Sequence, residues 1–121
     1  MKSIFAAAIC ATMASTTPAS ADLPTGQLMA YYEQGGEVRR LSLLIVGGLS
    51  DGFLWSNVQL EMGRGEQKLF CLPDDVALGS GQVYDLVRRF VGKKPHYAGL
   101  PLGLSVLDAL TDAFPCGEIS R

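Results

Sequence analysis

The sequence predicts an all-α protein, a small bundle of about four helices stapled by one disulfide. One observation is that apolar residues recur at intervals of three and four along most of the chain, which is the spacing of one helix face. A second is that glycine and proline separate these stretches into segments of helical length. A third is that one pair of cysteines, Cys71 and Cys116, remains once an N-terminal export signal is removed.

Residues 1–21 are predicted to form that cleavable signal. A short basic start precedes an apolar run from Ile4 to Ala14, and Ala19-Ser20-Ala21 is a small-x-small cleavage site. The run is too short for a membrane-spanning helix, which needs about 20 apolar residues. An uncleaved, membrane-tethered N-terminus is the alternative. Cys10 leaves with the signal, and residues 22–121 are predicted to form one domain of roughly 100 residues.

Charge and composition exclude several classes of partner. The whole chain has 10 basic and 12 acidic residues and a formal net charge of −2 at pH 7. A nucleic-acid-binding domain would carry a basic stripe, and a domain bound to an anionic membrane would carry a polybasic segment. The sequence has neither feature, so we predict no nucleic-acid partner and no membrane partner after signal cleavage.

The first two predicted helices precede residue 62. Thr25 is predicted to cap the first, which ends at Gly35-Gly36. The second covers about 37–61 and is interrupted by Asp51, which argues against a transmembrane segment. Its apolar positions recur on one face, at Leu41, Leu44, Ile45, Gly48, Gly52 and Trp55.

Gly48 and Gly52 lie one turn apart in the second helix, where a glycine costs about 1 kcal/mol relative to alanine. Close approach of a neighbouring backbone would compensate this cost. Gly48, Asp51 and Gly52 are therefore predicted to form a helix-packing motif, in which Asp51 either hydrogen-bonds a neighbouring element or faces a partner.

The last two helices are predicted from clear apolar stripes. The third covers about 82–94, before Pro95, and the fourth about 102–114, before Pro115. Residues 67–72, between the second and third helices, form a short stretch of extended character. The core faces of these helices are predicted at Val83, Leu86, Val87, Phe90 and Val91, and at Val106, Leu107, Leu110, Ala113 and Phe114.

Cys71 and Cys116 are predicted to form a disulfide, because an exported protein with an even pair of cysteines reaches an oxidising compartment. The bond would close a loop of roughly 46 residues, worth about 4 kcal/mol in the chain-entropy model. The competing interpretations are an unpaired redox pair and a metal site. Neither has a supporting pattern, because there is no Cys-x-x-Cys spacing and His96 is the only histidine.

No constellation of residues in the sequence supports an enzyme. His96 follows Pro95 in a loop bounded by glycine and proline, where an exposed histidine is more common than a catalytic one. Asp74-Asp75 lacks the further oxygen ligands of a calcium site, and Gly79-Ser80-Gly81 lacks the lysine of a nucleotide-binding loop. We therefore predict no catalytic residue, no cofactor and no metal.

Several motifs, taken in order, resemble those of a known family. They are Gly48-Leu49-Ser50-Asp51-Gly52, Phe70-Cys71-Leu72-Pro73, a helix over 83–90, and a closing Ala113-Phe114-Pro115-Cys116. This set is similar to that of the Rap/Tai family of type VI secretion immunity proteins, over most of the mature domain. Many members carry a further cysteine pair near the start of the second helix, which residues 39–44 lack here.

The resemblance implies a small helical periplasmic protein that binds and inhibits a type VI secreted peptidoglycan amidase effector, which protects against self or sister-cell intoxication. It also implies a homodimer, and family cysteines that match Cys71 and Cys116. Lys93, Lys94, His96 and Tyr97 form an exposed loop that we expect to contact the effector, with Tyr97 as an aromatic anchor and the lysines for electrostatic steering.

The alternative function is a disulfide-stapled periplasmic acid-stress chaperone. Acid unfolding would have to expose the apolar stripes at 83–91 and 106–114 to client proteins. Against this hypothesis, the chain has few lysines and one histidine to drive expansion in acid.

Overall fold

The computed structural model describes residues 23–117 and contains four α-helices within that range. They are α1 (Thr25–Glu33), α2 (Gly36–Val58), α3 (Ser80–Lys93) and α4 (Leu102–Ala113). A π-helical turn, Gln59–Gly63, extends α2, and a 3-10 turn, Pro95–Gly99, joins α3 to α4. The all-α prediction is confirmed. The predicted signal and Cys10 lie outside the described residues.

Local chemistry explains where these helices begin and end. Gly35 and Gly36 adopt φ values of +74° and +59°, which glycine reaches without a steric cost, and this allows the sharp turn from α1 into α2. The Gly79 N–H donates to the side-chain oxygen of Gln82 at 2.6 Å, which satisfies a free donor at the start of α3. Pro95 follows α3 and cannot continue it.

The core lies between α2 and the other three helices. α2 contacts α1, α3 and α4, and α3 packs on α4. The most deeply buried apolar side chains are Leu28, Val46, Phe70, Val83, Tyr84, Val87, Val106 and Leu110. The predicted core faces of α3 and α4 are therefore confirmed at their centres, whereas Ala113 is exposed.

Thr25 does not cap α1 as expected, because Pro24 occupies the N-cap position. The Thr25 side chain is fully buried. Its hydroxyl donates to the Leu100 carbonyl at 2.9 Å and lies 2.6 Å from the Ser105 hydroxyl of α4. Thr25 is thus a buried polar link from α1 to the start of α4.

The predicted apolar face of α2 points away from the core. The inward side of α2 carries the buried residues Ser42, Val46, Ser50 and Asn57. Gly48 and Gly52 are exposed, and a Cβ at either position would meet no atom of the described residues within 4 Å. The close neighbour expected at these two glycines is therefore not found within residues 23–117. It occurs instead at Gly47, which lies against Ser80 of α3.

The segment between α2 and α3 is held by one amide and one disulfide. The Asn57 amide donates to the Phe70 carbonyl at 2.9 Å, and its oxygen accepts the Leu69 N–H at 2.7 Å. Cys71 is bonded to Cys116 across 45 residues of sequence, which confirms the predicted disulfide. The extended character predicted for 67–72 gives no strand in the described part of the chain.

The combined helix Gly36–Gly63 is long and apolar enough to cross a membrane, judged by length and composition alone. Only 22% of its most apolar window is buried. One side of this helix nevertheless forms part of the core through Val46 and Asn57.

Candidate interaction surface

The segment expected to contact the effector is a short structured connection. Lys93 ends α3 and pairs with Asp112 of α4 at 3.6 Å. The Lys94 ammonium lies 5.3 Å from the centre of the Phe90 ring. His96 is exposed, and its ring centre lies 4.8 Å from that of Tyr97. The two lysines and His96 thus remain open to a partner.

Tyr97, by contrast, turns inward. Its hydroxyl donates to the Asp108 carboxylate at 2.6 Å, and its ring meets the edge of Phe90 with 4.6 Å between centres. The hydrogen bond to Asp108, followed by desolvation, raises the pKa of the Tyr97 hydroxyl above its ordinary value of 10.0. Tyr97 therefore positions the 3-10 turn against α3 and α4, and its ring is not a free anchor.

A larger apolar surface lies on the solvent side of α2. We define the α2 outer face by the residues Leu41, Leu44, Ile45, Gly48, Gly52 and Trp55. Leu44 is 64% exposed and Trp55 is 70% exposed, and Leu41 and Ile45 are exposed as well. Isolated exposed apolar side chains are common on proteins, but a continuous stripe of large ones marks an interaction site.

A groove lies at the C-terminal end of the α2 outer face. We call it the Trp55 groove, and its volume is about 460 Å³. It is lined by Gly52, Trp55, Ser56, Gln59, Leu60 and Arg64. The π-helical turn leads the chain out of α2, and a hydrogen bond from the Glu66 N–H to the Leu60 carbonyl at 2.8 Å holds the next residues against it. The turn thereby places Arg64 in the groove wall.

Charged residues mark both ends of the α2 outer face. Glu37 lies exposed in the first turn of α2. Arg64 lies at the opposite end, in the Trp55 groove. The neighbouring Glu61 carboxylate is paired with Lys68 at 3.0 Å. Asp51 is exposed near the middle, beside the two glycines.

Side chains of the metal-binding types do not gather in the described part of the chain. No group of three or more histidine, cysteine, aspartate or glutamate side chains there could hold a metal ion. The two cysteines of the described residues are joined to each other, so neither is a free thiol.

A family model for Rap1a immunity proteins matches residues 5–116, which include both bonded cysteines and every helix described above. The chain belongs to the Rap1a immunity protein family. The resemblance noted from the ordered motifs is confirmed. Searches among curated proteins and solved structures found no match. As a Rap1a immunity protein, the chain has a cognate effector protein as its partner.

The sequence indicated the periodicity of the α2 outer face but not its exposure. A usable signal was present, because the stripe contains Asp51 and two glycines among large apolar residues. Core helices seldom place a charged residue beside such a stripe. That combination is more typical of a surface used for association.

Proposed function

We propose that this Rap1a immunity protein acts in the periplasm and inhibits a peptidoglycan amidase effector delivered by type VI secretion. The family match over residues 5–116 is the observation that supports the proposal most. The periplasmic location rests on the predicted signal at 1–21 and on the Cys71–Cys116 disulfide, since such bonds persist in oxidising compartments. The two cysteines of the mature chain are then a consequence of where it works.

Inhibition by this protein would require binding alone. In the proposal, the exposed cationic end of α3 approaches the amidase, and Lys94 and His96 contact it. Lys93 is partly engaged by Asp112, so its charge acts mainly by steering the approach. Tyr97 supports this segment from below through Asp108.

The test is an amidase assay on purified peptidoglycan. The effector is the amidase encoded beside this gene, and the protein is purified after export from its full coding sequence. We expect inhibition to be complete at one protomer per amidase. Full hydrolysis in the presence of excess protein would overturn the proposal.

The effector-contact residues are tested in the same assay with charge-reversed Lys94→Glu combined with His96→Ala. We expect weaker inhibition from this variant. The matched control is Arg89→Glu, which changes an exposed charge on α3 outside the segment and should inhibit like the wild type. Equal inhibition by all three proteins would place the effector contact elsewhere.

Self-association into a homodimer is the second part of the proposal. The exposed apolar stripe of α2 supports it, because burying that surface against another copy removes it from water. No observation on residues 23–117 favours the acid-stress chaperone, since the stripes that it would offer to clients form the core here.

A further inference from the structure

We propose that two copies of this chain pair through their α2 outer faces as antiparallel helices that cross at Gly48 and Gly52. This arrangement rests on the self-association part of the proposed function and deepens it. It does not depend on which effector is bound. Four features of α2 carry it: the spacing of its exposed residues, the central glycines, the Trp55 groove and the charges at the two ends.

The spacing of the exposed stripe fits a helix as the occupant. Positions 41, 45, 48, 52, 55 and 59 follow one another by alternating steps of four and three, which keeps them on one side along the whole helix. The helix Gly36–Gly63 has 28 residues, a length of about 42 Å at the usual rise per residue. A seam of this length matches another long helix, and a second copy of α2 supplies one with the same spacing.

The two glycines fix where the helices cross. Gly48 and Gly52 lie in the middle of the stripe, and no described atom approaches the place where a Cβ would stand. Another helix backbone can therefore come closer here than anywhere else along α2. A close contact at the centre of a self-complementary face is compatible with a two-fold axis.

An antiparallel crossing at these glycines makes the apolar ends complementary. Leu41 and Leu44 protrude from the N-terminal half, whereas the C-terminal half contains the Trp55 groove. Residues equally far from the crossing point meet across the axis. Leu41 and Leu44 of one copy would therefore enter the groove of the other, where the Trp55 ring covers them.

The charges favour the antiparallel orientation over the parallel one. Glu37 precedes the crossing point by nearly the same number of residues as Arg64 follows it. Antiparallel pairing brings Glu37 next to Arg64 of the second copy at both ends of the seam. Parallel pairing would instead place like charges opposite each other, which costs free energy.

The experiment is sedimentation equilibrium of the exported, processed protein over a range of concentrations. We expect the wild type to be a dimer and Leu44→Glu to be a monomer, because a carboxylate would be buried in the groove of the second copy. Glu37→Arg and Arg64→Glu should each raise the dimer dissociation constant about tenfold, and the double variant should restore it. Arg89→Glu on α3 is the matched control and should leave it unchanged.

The outcomes separate this pairing from the rest of the proposal. A wild type that stays monomeric overturns the pairing, and its flotation with anionic phospholipid vesicles would assign the α2 outer face to a membrane surface. A dimer insensitive to Leu44→Glu places the interface elsewhere. A dimer that Leu44→Glu dissociates but the double charge reversal fails to restore overturns the antiparallel orientation. Loss of amidase inhibition by the wild type would overturn the immunity proposal and leave the pairing intact.

Discussion

Asn57 joins the end of α2 to the loop that follows by two hydrogen bonds, to Phe70 at 2.9 Å and from Leu69 at 2.7 Å. The side chain is buried, so Asn57→Ala would leave two backbone groups without their partner in a dry environment. We expect the free energy of unfolding to fall by about 2–4 kcal/mol. Urea denaturation followed by circular dichroism measures this change.

Ser56→Ala is the matched control for the asparagine. The exposed Ser56 hydroxyl bonds only to the Gly52 carbonyl of its own helix, at 2.8 Å. Its removal should change the free energy of unfolding by less than about 0.5 kcal/mol. Similar values for the two variants would show that the amide of Asn57 does not hold the loop.

Tyr97 gives the fold a predicted dependence on alkaline pH. The carboxylate of Asp108 raises the pKa of the Tyr97 hydroxyl above 10.0 in the folded state, so the folded protein holds this proton more tightly than the unfolded chain. The resulting stability is fully present below pH 10.0 and is lost as the pH rises through the folded-state pKa. Tyr97→Phe should therefore melt at a lower temperature at neutral pH and show a flatter decline above pH 10.0.

Thermal melts of the wild type and Tyr97→Phe between neutral and alkaline pH test this expectation. The phenylalanine retains the ring contact with Phe90, so only the hydrogen bond is removed. Effector inhibition should stay unchanged, because Tyr97 supports the segment without meeting the partner. Parallel pH profiles for the two proteins would contradict the role given to the hydroxyl.

At the scale of the element, α2 has glycines in two different environments. Gly48 faces open space, so Gly48→Ala should raise the free energy of unfolding of the monomer by about 1 kcal/mol through helix propensity. Gly47→Ala should gain less, because its methyl group would meet the Ser80 hydroxyl. Both are best compared in the Leu44→Glu background, where association does not contribute.

Urea denaturation in that background supplies the comparison. A loss of stability in Gly48→Ala would mean that this position is not open. The same substitution should weaken the wild-type dimer, since the added methyl groups keep the two helices apart. Opposite effects on folding and on association are what a glycine kept for an interface predicts.

The sequence was sufficient where one side of a helix is apolar and the other is charged. α3 shows this contrast, and Val83, Val87 and Phe90 are buried as the stripe predicted. α2 lacks it, because small polar residues such as Ser42 and Ser50 face inward while Leu44 faces solvent. Periodicity identifies a face, but the neighbours that cover it are set by tertiary packing. The inward role of Thr25 depends in the same way on Ser105, 80 residues away.

At the scale of the whole molecule, the two proposed surfaces do not compete. The 3-10 turn that follows Lys94 packs against α1 and α3. The α2 outer face points away from the core that these helices share. Each protomer of the pair can therefore bind its own effector. Isothermal titration should give one amidase per protomer for the wild type and for monomeric Leu44→Glu, and a halved value in either protein would show that the surfaces overlap.

The disulfide ties this arrangement together, because Cys71 and Cys116 enclose all of α3 and α4. The Cys71 N–H also donates to the Phe114 carbonyl at 2.8 Å, so the loop anchored by Asn57 and the end of α4 meet at one point. Without the bond, the unfolded chain regains the freedom of a long loop. Cys71→Ala combined with Cys116→Ala should lose about 4 kcal/mol of stability, a large part of the roughly 5–15 kcal/mol of a typical domain.

Urea unfolding of the double alanine variant, beside the wild type with and without a reductant, measures this loss. The reduced wild type is the matched control, because it keeps both sulfur atoms in place and lacks only the bond. Both should unfold at lower urea concentration than the oxidised protein. A saturating amount of amidase should recover part of the loss, since a partner that binds only the folded state stabilises it. An unchanged urea midpoint in both proteins would mean that the helix core alone holds the fold.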